Sequence, residues 1–240
     1  MKSFLIIKTG GTFPDFASEH GDFEHWVAAS MELAPDECNC VDVRTGAILP
    51  DPTHYDGCVI TGSHDMVTDD LEWIHGTGDW LYSAGETGLP ILGICFGHQL
   101  LAMIHGGQSG FHPQGPEIGT KTISLTPAAE DDPLFFSMPN RFAGHTTHHQ
   151  HANILPSNAT LLATSDHEPH QAFRIGANMW GVQFHPEFSA EDMRCYITRQ
   201  AECITQNHGD IESLLSEVCE TPESTDLLTR FMEYSLYAVR

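Results

Sequence analysis

The sequence predicts an α/β fold, with a mostly parallel sheet, helices on both of its faces and a small antiparallel extension. Short apolar runs typical of buried strands alternate with helical periodicity in the first half of the 240-residue chain. Residues 120–184 are instead rich in short β-like runs, and helical patterns return from about residue 190. No repeat or low-complexity linker interrupts the chain, so we predict a single domain.

The first half supplies the strands of the predicted parallel sheet. The run Ser3–Lys8 is apolar and ends at a Gly-Gly pair, which predicts the first strand. Residues 12–24 contain Pro14 and several acids, which favours a loop before a short helix near 24–33. The other predicted elements of this half are strands at Cys40–Val43, Gly57–Thr61 and Leu89–Ile94 and helices at Asp69–Ala84 and from Cys95 to about His105.

The second half supplies the predicted antiparallel extension and the final helices. Its predicted strands are Lys121–Leu125, Arg141–Gly144, Thr160–Ala163, Ala172–Ile175 and Trp180–Phe184. Helices are predicted from Ala190 to Asn207, near 210–219 and over 222–238. Pro222 suits the first turn of the last helix, where a missing N–H costs nothing.

Composition excludes several classes of partner. The chain carries 33 acidic and 10 basic residues, for a formal net charge of -23. Nucleic acid and anionic membrane surfaces need clustered Lys and Arg, so neither is expected as a main partner. Seven cysteines without a CxxC pair argue against a disulfide framework and favour the cytoplasm. We also find no signal peptide and no run long enough to span a membrane.

The most informative stretch surrounds Cys95. A buried strand runs directly into this cysteine, a helix follows at once, and Gly93 and Gly97 flank it. This is the nucleophile-elbow pattern with cysteine in place of serine. The turn would place the sulfur at a helix N-terminus, which favours a thiolate, and would aim the Phe96 N–H at an oxyanion.

A base and its orienting group are predicted near residue 185. His185 and Glu187 follow a strand-like run, and residues two apart on an extended chain project to the same side. Histidine can accept the thiol proton and return it to a leaving amine, and glutamate can hold the other ring nitrogen. Taken alone, a His-x-Glu pair is more often a solvated surface pair, so its significance depends on the elbow.

Both stretches resemble the signatures of one enzyme family. Pro90–Gln99 (PILGICFGHQ) and Gly181–Glu187 (GVQFHPE) are similar to the two signatures of the class I, or triad, glutamine amidotransferases. Other stretches resemble the stand-alone branch that is similar to the glutaminase domain of GMP synthase. The resemblance is strong over residues 55–190 and looser outside them.

The resemblance implies a flavodoxin-like sheet that carries a Cys–His–Glu triad without a cofactor. Cys95 would attack the side-chain amide of glutamine, His185 would shuttle the proton, and Glu187 would orient His185. Glutamate and ammonia would form through a γ-glutamyl thioester. The resemblance also implies that Gln99 contacts glutamine.

The resemblance places the second oxyanion donor in the turn after an earlier strand. In this sequence that turn contains Gly62 and Ser63, where many members have two glycines and a proline. Because Ser63 replaces the second glycine, the donating N–H is left open between the two residues. A plain surface turn is the alternative for this segment.

A run of histidines lies between Gly144 and His151. It allows three interpretations: lining of the substrate pocket, ordinary surface or core histidines, and metal ligands. No cysteine or acid stands at a zinc-like spacing beside the run, so we predict no metal site. The resemblance favours pocket lining, with His148 as a substrate-binding residue.

Three functions are carried forward from the sequence. The first is a glutamine-hydrolysing amidotransferase, with one such domain over residues 1–240 and a helical extension from about residue 190. Since the sequence shows no phosphate-binding Gly-rich loop of a synthetase module, ammonia would pass to a separate partner or be released. The second is a γ-glutamyl hydrolase or peptidase that acts on a larger γ-glutamyl compound. The third is a non-catalytic regulatory module.

Overall fold

The computed structural model describes residues 2–237, which form eleven strands and eight α-helices. The strands are β1 (Phe4–Lys8), β2 (Cys38–Asp42), β3 (Gly57–Ile60), β4 (Ile91–Ile94), β5 (Gln108–Phe111), β6 (Glu117–Leu125), β7 (Arg141–His148), β8 (Gln150–Ile154), β9 (Ala159–Thr164), β10 (Ala172–Ile175) and β11 (Met179–Val182). The helices are α1 (Pro14–His20), α2 (Phe23–Ser30), α3 (Glu72–Glu86), α4 (Phe96–Ile104), α5 (Ala190–Arg199), α6 (Ala201–Gln206), α7 (Ile211–Glu217) and α8 (Pro222–Tyr237). Short 3₁₀ turns lie at Val43–Thr45, Pro52–His54 and Pro127–Asp131.

Nine strands form one sheet in the order β2-β1-β3-β4-β11-β10-β9-β6-β7. The first five strands of this order run parallel to one another. The last four are joined by antiparallel pairings and form the predicted extension. The predicted α/β class is therefore confirmed, and the extension is four strands wide.

Helices cover both faces of the parallel part because its strands are apolar on both sides. In β1, Phe4 and Ile6 pack in a cluster with α2 and α8, whereas Leu5 and Ile7 pack on the opposite face with α3 and α4. All four side chains are fully buried. Alternate side chains of a strand point to opposite faces, so a continuous apolar run requires cover on both.

The structure differs from the predicted elements in three places. The stretch predicted as a loop contains α1, since Pro14 begins this helix instead of breaking it. The predicted helix Ala190–Asn207 is divided at Gln200 into α5 and α6. Strands β5 and β8, which pair only with each other, were not predicted. Residue 238, the last of the predicted final helix, lies outside the described residues.

The sheet order brings two separate parts of the chain to one edge. Strands β4 and β11 are parallel neighbours, and Ile94 is paired with Val182. The Cys95 N–H donates to the Val182 carbonyl at 2.8 Å. The residues that follow both strands therefore meet at the carboxyl edge, where ligands bind in open α/β sheets. Among residues 2–237, no helix combines the length and apolar character needed to cross a membrane.

Candidate active site

Cys95 occupies a sharp turn between β4 and α4. Its backbone has φ 50° and ψ −97°, a positive φ that is uncommon for any residue other than glycine. A Cβ on Gly93 would lie 2.5 Å from the Gly97 carbonyl group, and one on Gly97 would lie 2.9 Å from Ile60. The turn is thus closed so tightly that both flanking positions exclude side chains, as the elbow pattern predicts. The Cys95 side chain is buried at the end of α4 where N–H groups are free.

His185 and Glu187 form a buried pair beside this turn. The distance from His185 Nδ1 to Glu187 Oε1 is 2.8 Å, and both side chains are at most 2% exposed. Phe188 stacks on the His185 ring with 4.2 Å between centroids, which restricts its rotation. The carboxylate therefore holds one ring nitrogen and leaves Nε2, which makes no hydrogen bond within residues 2–237.

The two signatures come into contact across Gly62. A Cβ at Gly62 would lie 3.0 Å from His185 Cε1 and 3.7 Å from Cys95 Cβ. Burial lowers the pKa of His185, but the charges of Glu187 and Cys95 raise it more, to about 10. The imidazole is therefore charged at neutral pH, and a positive charge beside the sulfur favours a thiolate.

The turn after β3 presents two backbone N–H groups on one side. Thr9 Oγ1 lies 2.8 Å from the Thr61 carbonyl oxygen and 3.1 Å from that of Gly62. The N–H groups of Gly62 and Ser63 follow these carbonyls in trans peptides and so point away from Thr9. Neither donates a hydrogen bond to another described residue. With the Phe96 N–H, they are the available donors for an oxyanion.

A cleft of about 180 Å³ opens beside Cys95. Both other predicted substrate-contact residues, Gln99 and His148, line it. The Gln99 amide nitrogen donates to the Gln150 carbonyl at 2.6 Å and to Gln183 Oε1 at 3.1 Å. His148 Nδ1 donates to the same Gln150 carbonyl at 3.0 Å, and Nε2 lies 3.1 Å from Glu117 Oε2. Both nitrogens of His148 are thus engaged within the protein, and its ring shapes the wall of the cleft.

Sequence reasoning missed the residues at another side of the cleft. His64 Nε2 lies 3.1 Å from the Tyr196 hydroxyl, which donates to Thr12 Oγ1 at 3.0 Å. Gln200 donates to Thr147 Oγ1 at 2.7 Å. Burial and the nearby His185 lower the pKa of His64, which keeps its ring neutral. The spacing of Tyr196 and Gln200, four residues apart near the end of α5, was the one available signal, since such residues share a helix face.

A second group of ionisable side chains lies away from Cys95. His112, His151 and Glu168 are all buried, and one donor atom from each lies within 4.8 Å of the others. Within residues 2–237 it is the one group of three or more His, Cys, Asp or Glu donors this close together. The expectation of no metal ligand near the histidine run rested on sequence spacing, whereas the fold brings Glu168 to within 3.0 Å of His151.

Comparisons with known sequences agree with the geometry. The family model described as Glutamine amidotransferase class-I matches residues 22–202. Gamma-glutamyl peptidase 5 of Arabidopsis thaliana is 35% identical over 139 residues, which are 57% of this chain and 55% of that protein. A subunit of the glutamine-hydrolyzing GMP synthase of Ignicoccus hospitalis is 31% identical over 168 residues, or 70% of this chain and 84% of that protein. The chain thus spans about half the length of the peptidase relative.

Solved structures resemble this fold over nearly its whole length. A glutamine amidotransferase from Thermotoga maritima has a TM-score of 0.78 at 21% identity and covers 99% of both chains. A glutamine amidotransferase from Methylobacillus flagellatus has a TM-score of 0.72 at 19% identity and covers 98% of this chain and 93% of its own. At these identities the likeness supports the flavodoxin-like fold class.

Proposed function

Because the chain belongs to the class I glutamine amidotransferase family, we propose that Cys95, His185 and Glu187 are a catalytic triad that hydrolyses the side-chain amide of glutamine. The observation that carries this proposal is the contact of the Cys95 elbow with the buried His185–Glu187 pair. The 180 Å³ cleft is smaller than the roughly 300–1,000 Å³ typical of ligand pockets. Such a volume suits a substrate of amino-acid size.

In the first half-reaction, the Cys95 thiolate attacks the amide carbon of glutamine and forms a C–S bond. The developing oxyanion accepts from the Phe96 N–H and from the Gly62 or Ser63 N–H. His185 then transfers the proton on Nε2 to the amide nitrogen. The C–N bond breaks, ammonia leaves, and a γ-glutamyl thioester remains on Cys95.

In the second half-reaction, His185 is neutral and acts as the general base. It takes a proton from water, whose oxygen attacks the thioester carbon. Collapse of the tetrahedral intermediate breaks the C–S bond and releases glutamate. The thiolate and imidazolium are thereby restored. Throughout, Glu187 stabilises the charged form of the ring and fixes its orientation.

Glutamate and ammonia release from glutamine test this proposal directly. The wild type should produce both in equal amounts, and Cys95→Ala should produce neither. Cys219→Ala is the matched control, because Cys219 is an exposed free cysteine. Turnover by Cys95→Ala at the wild-type rate would exclude the triad.

A γ-glutamyl peptidase is the second candidate function. The observation in its favour is the identity with gamma-glutamyl peptidase 5, although the match covers 55% of that protein. The same triad would cleave a γ-glutamyl bond to a larger amine. A panel of γ-glutamyl peptides decides between the two: kcat/KM for a peptide far above that for glutamine favours the peptidase.

We also propose that the ammonia is released or passes to a separate protein. The formal charge of -23 implies that a complementary partner would present a basic face. Pull-down at low and high salt with Cys95→Ala as bait tests this, because an electrostatic complex weakens as salt screens the charges. Capture that is equal at both salt concentrations would contradict it.

A further inference from the structure

We propose that His112, His151 and Glu168 form a binding site for a divalent transition-metal ion of the zinc type. The three residues come from separate parts of the chain. His112 directly follows β5, His151 lies in β8, and Glu168 lies in the loop between β9 and β10. An ion held by them would join these three segments.

Unpartnered buried atoms are the first support for this site. His151 is 4% exposed and Glu168 is fully buried. Neither ring nitrogen of His151 makes a hydrogen bond within residues 2–237, and the same holds for Glu168 Oε2. The 3.0 Å approach of His151 Nδ1 to Glu168 Oε2 is an ion-pair contact without hydrogen-bond geometry. Buried polar atoms without partners are costly, and a shared ion would satisfy them.

The surrounding contacts orient the donors. Glu168 Oε1 accepts from the His170 N–H at 2.7 Å, which leaves Oε2 directed at His151. The Glu168 N–H donates to Ser165 Oγ at 2.9 Å, so the loop carrying the carboxylate is itself held. Hydrogen bonds that fix a ligating carboxylate in this way are typical of metal sites.

His112 must change one contact to bind. Its Nδ1 accepts from the Gln114 N–H at 3.1 Å. Ligation through Nδ1 would replace that bond, and ligation through Nε2 would move the ring proton to Nδ1 and break it. Gln114 is exposed, so its N–H can turn to water instead. This change is small beside the bonds an ion would form.

The donor set selects the kind of ion. Two imidazoles and one carboxylate suit Zn²⁺ or a similar first-row ion and are poorly matched to Ca²⁺ or Mg²⁺, which prefer oxygen ligands. The fourth tetrahedral position would belong to water or to His167, whose ring stacks on His112 at 4.1 Å. His167 also borders a cleft of about 420 Å³, which provides an entry path.

Metal content is measured on Cys95→Ala, which removes the competing thiolate of the active site. The protein is stripped with a chelator, dialysed and titrated with Co²⁺ at neutral pH, followed by competition with Zn²⁺. We expect one tightly bound equivalent with a visible spectrum of tetrahedral Co²⁺, its loss on Zn²⁺ addition, and a higher melting temperature with Zn²⁺ present. Absence of bound Co²⁺ and of any Zn²⁺-dependent melting shift would show that the cluster holds water only.

Substitutions locate the bound ion. In the same background, His151→Gln and Glu168→Gln should each lower Co²⁺ affinity at least 100-fold. His149→Gln, which alters a neighbouring histidine outside the cluster, should retain the equivalent. The Cys38→Ser/Cys40→Ser pair should retain it as well. One equivalent that survives in folded His151→Gln and Glu168→Gln would place the ion elsewhere and overturn the proposal. Variants that do not fold leave the stoichiometry and spectrum of the Cys95→Ala protein to decide.

Discussion

Glu187→Gln tests how the charge on the proposed triad is maintained. Glutamine has nearly the same shape and can still accept from His185 Nδ1, so the substitution removes charge with little change in packing. The pKa of His185 lies at about 10 rather than the usual 6.5 because Glu187 and Cys95 outweigh the effect of burial. That difference corresponds to about 5 kcal/mol at 1.36 kcal/mol for each pKa unit.

Glu187 supplies the larger charge interaction of the two, so the variant should lose about 2–3 kcal/mol of stabilisation of the imidazolium. The sign follows from the direction of the shift: a histidine whose pKa is raised is charged below that pKa and loses its proton as the pH rises through it. In the wild type, kcat/KM for glutamine should therefore fall only as the pH approaches about 10. In the variant, the fall should begin at least about two pH units lower, with about 100-fold lower kcat/KM at pH 8.

The assay is the pH profile of kcat/KM for glutamine, measured as glutamate formed. Glu191→Gln is the matched control, because Glu191 is exposed in the first turn of α5. A thermal melt of each variant confirms folding. If Glu187→Gln keeps the high-pH limit of the wild type and its rate at pH 8, the carboxylate does not sustain the imidazolium, and the reasoning is refuted.

Three further substitutions test the packing around the site. Gly62→Ala would place a Cβ 3.0 Å from His185 Cε1, so kcat should fall about 10- to 100-fold while urea unfolding changes by less than about 1 kcal/mol; an unchanged kcat would contradict this. Asp132→Ala removes a fully buried carboxylate that accepts from Trp180 Nε1 at 3.2 Å, so urea unfolding should lose about 3 kcal/mol, and a loss below about 1 kcal/mol would contradict it. Tyr196→Phe removes the hydroxyl that joins two residues at the cleft, so KM for glutamine should rise with kcat nearly constant, and the opposite pattern would assign the hydroxyl to the chemical step.

The sequence predicted the elements whose signals are local. The turn at Cys95 was recognisable because two glycines and an apolar strand are sequence neighbours of the cysteine, and the closeness of the turn requires them. His185 and Glu187 were recognisable because residues two apart on an extended chain share a side. That they meet Cys95 depends on the pairing of β4 with β11, which the resemblance implied and the register now explains.

The features that sequence reasoning missed depend on contacts between distant parts of the chain. Strand β5 has the sequence QSGF, which is short and largely polar, and its backbone is paired only because β8 lies beside it. His112 and Glu168 are 39 and 17 residues from His151, and no local pattern relates them. Pro14 favours a loop by residue type alone, although proline serves equally well at the first turn of a helix.

The backbone at Cys95 also bears on how this sequence can change over time. A residue other than glycine with φ 50° is strained by about 1–3 kcal/mol, and the surrounding fold has to sustain that strain. Cys95→Gly would relieve it, so we expect the inactive protein to be more stable than the active one. Stability and reactivity are opposed at this position, and a descendant released from catalysis would drift toward glycine there. Retention of cysteine at such a position is therefore a sign of selection for chemistry.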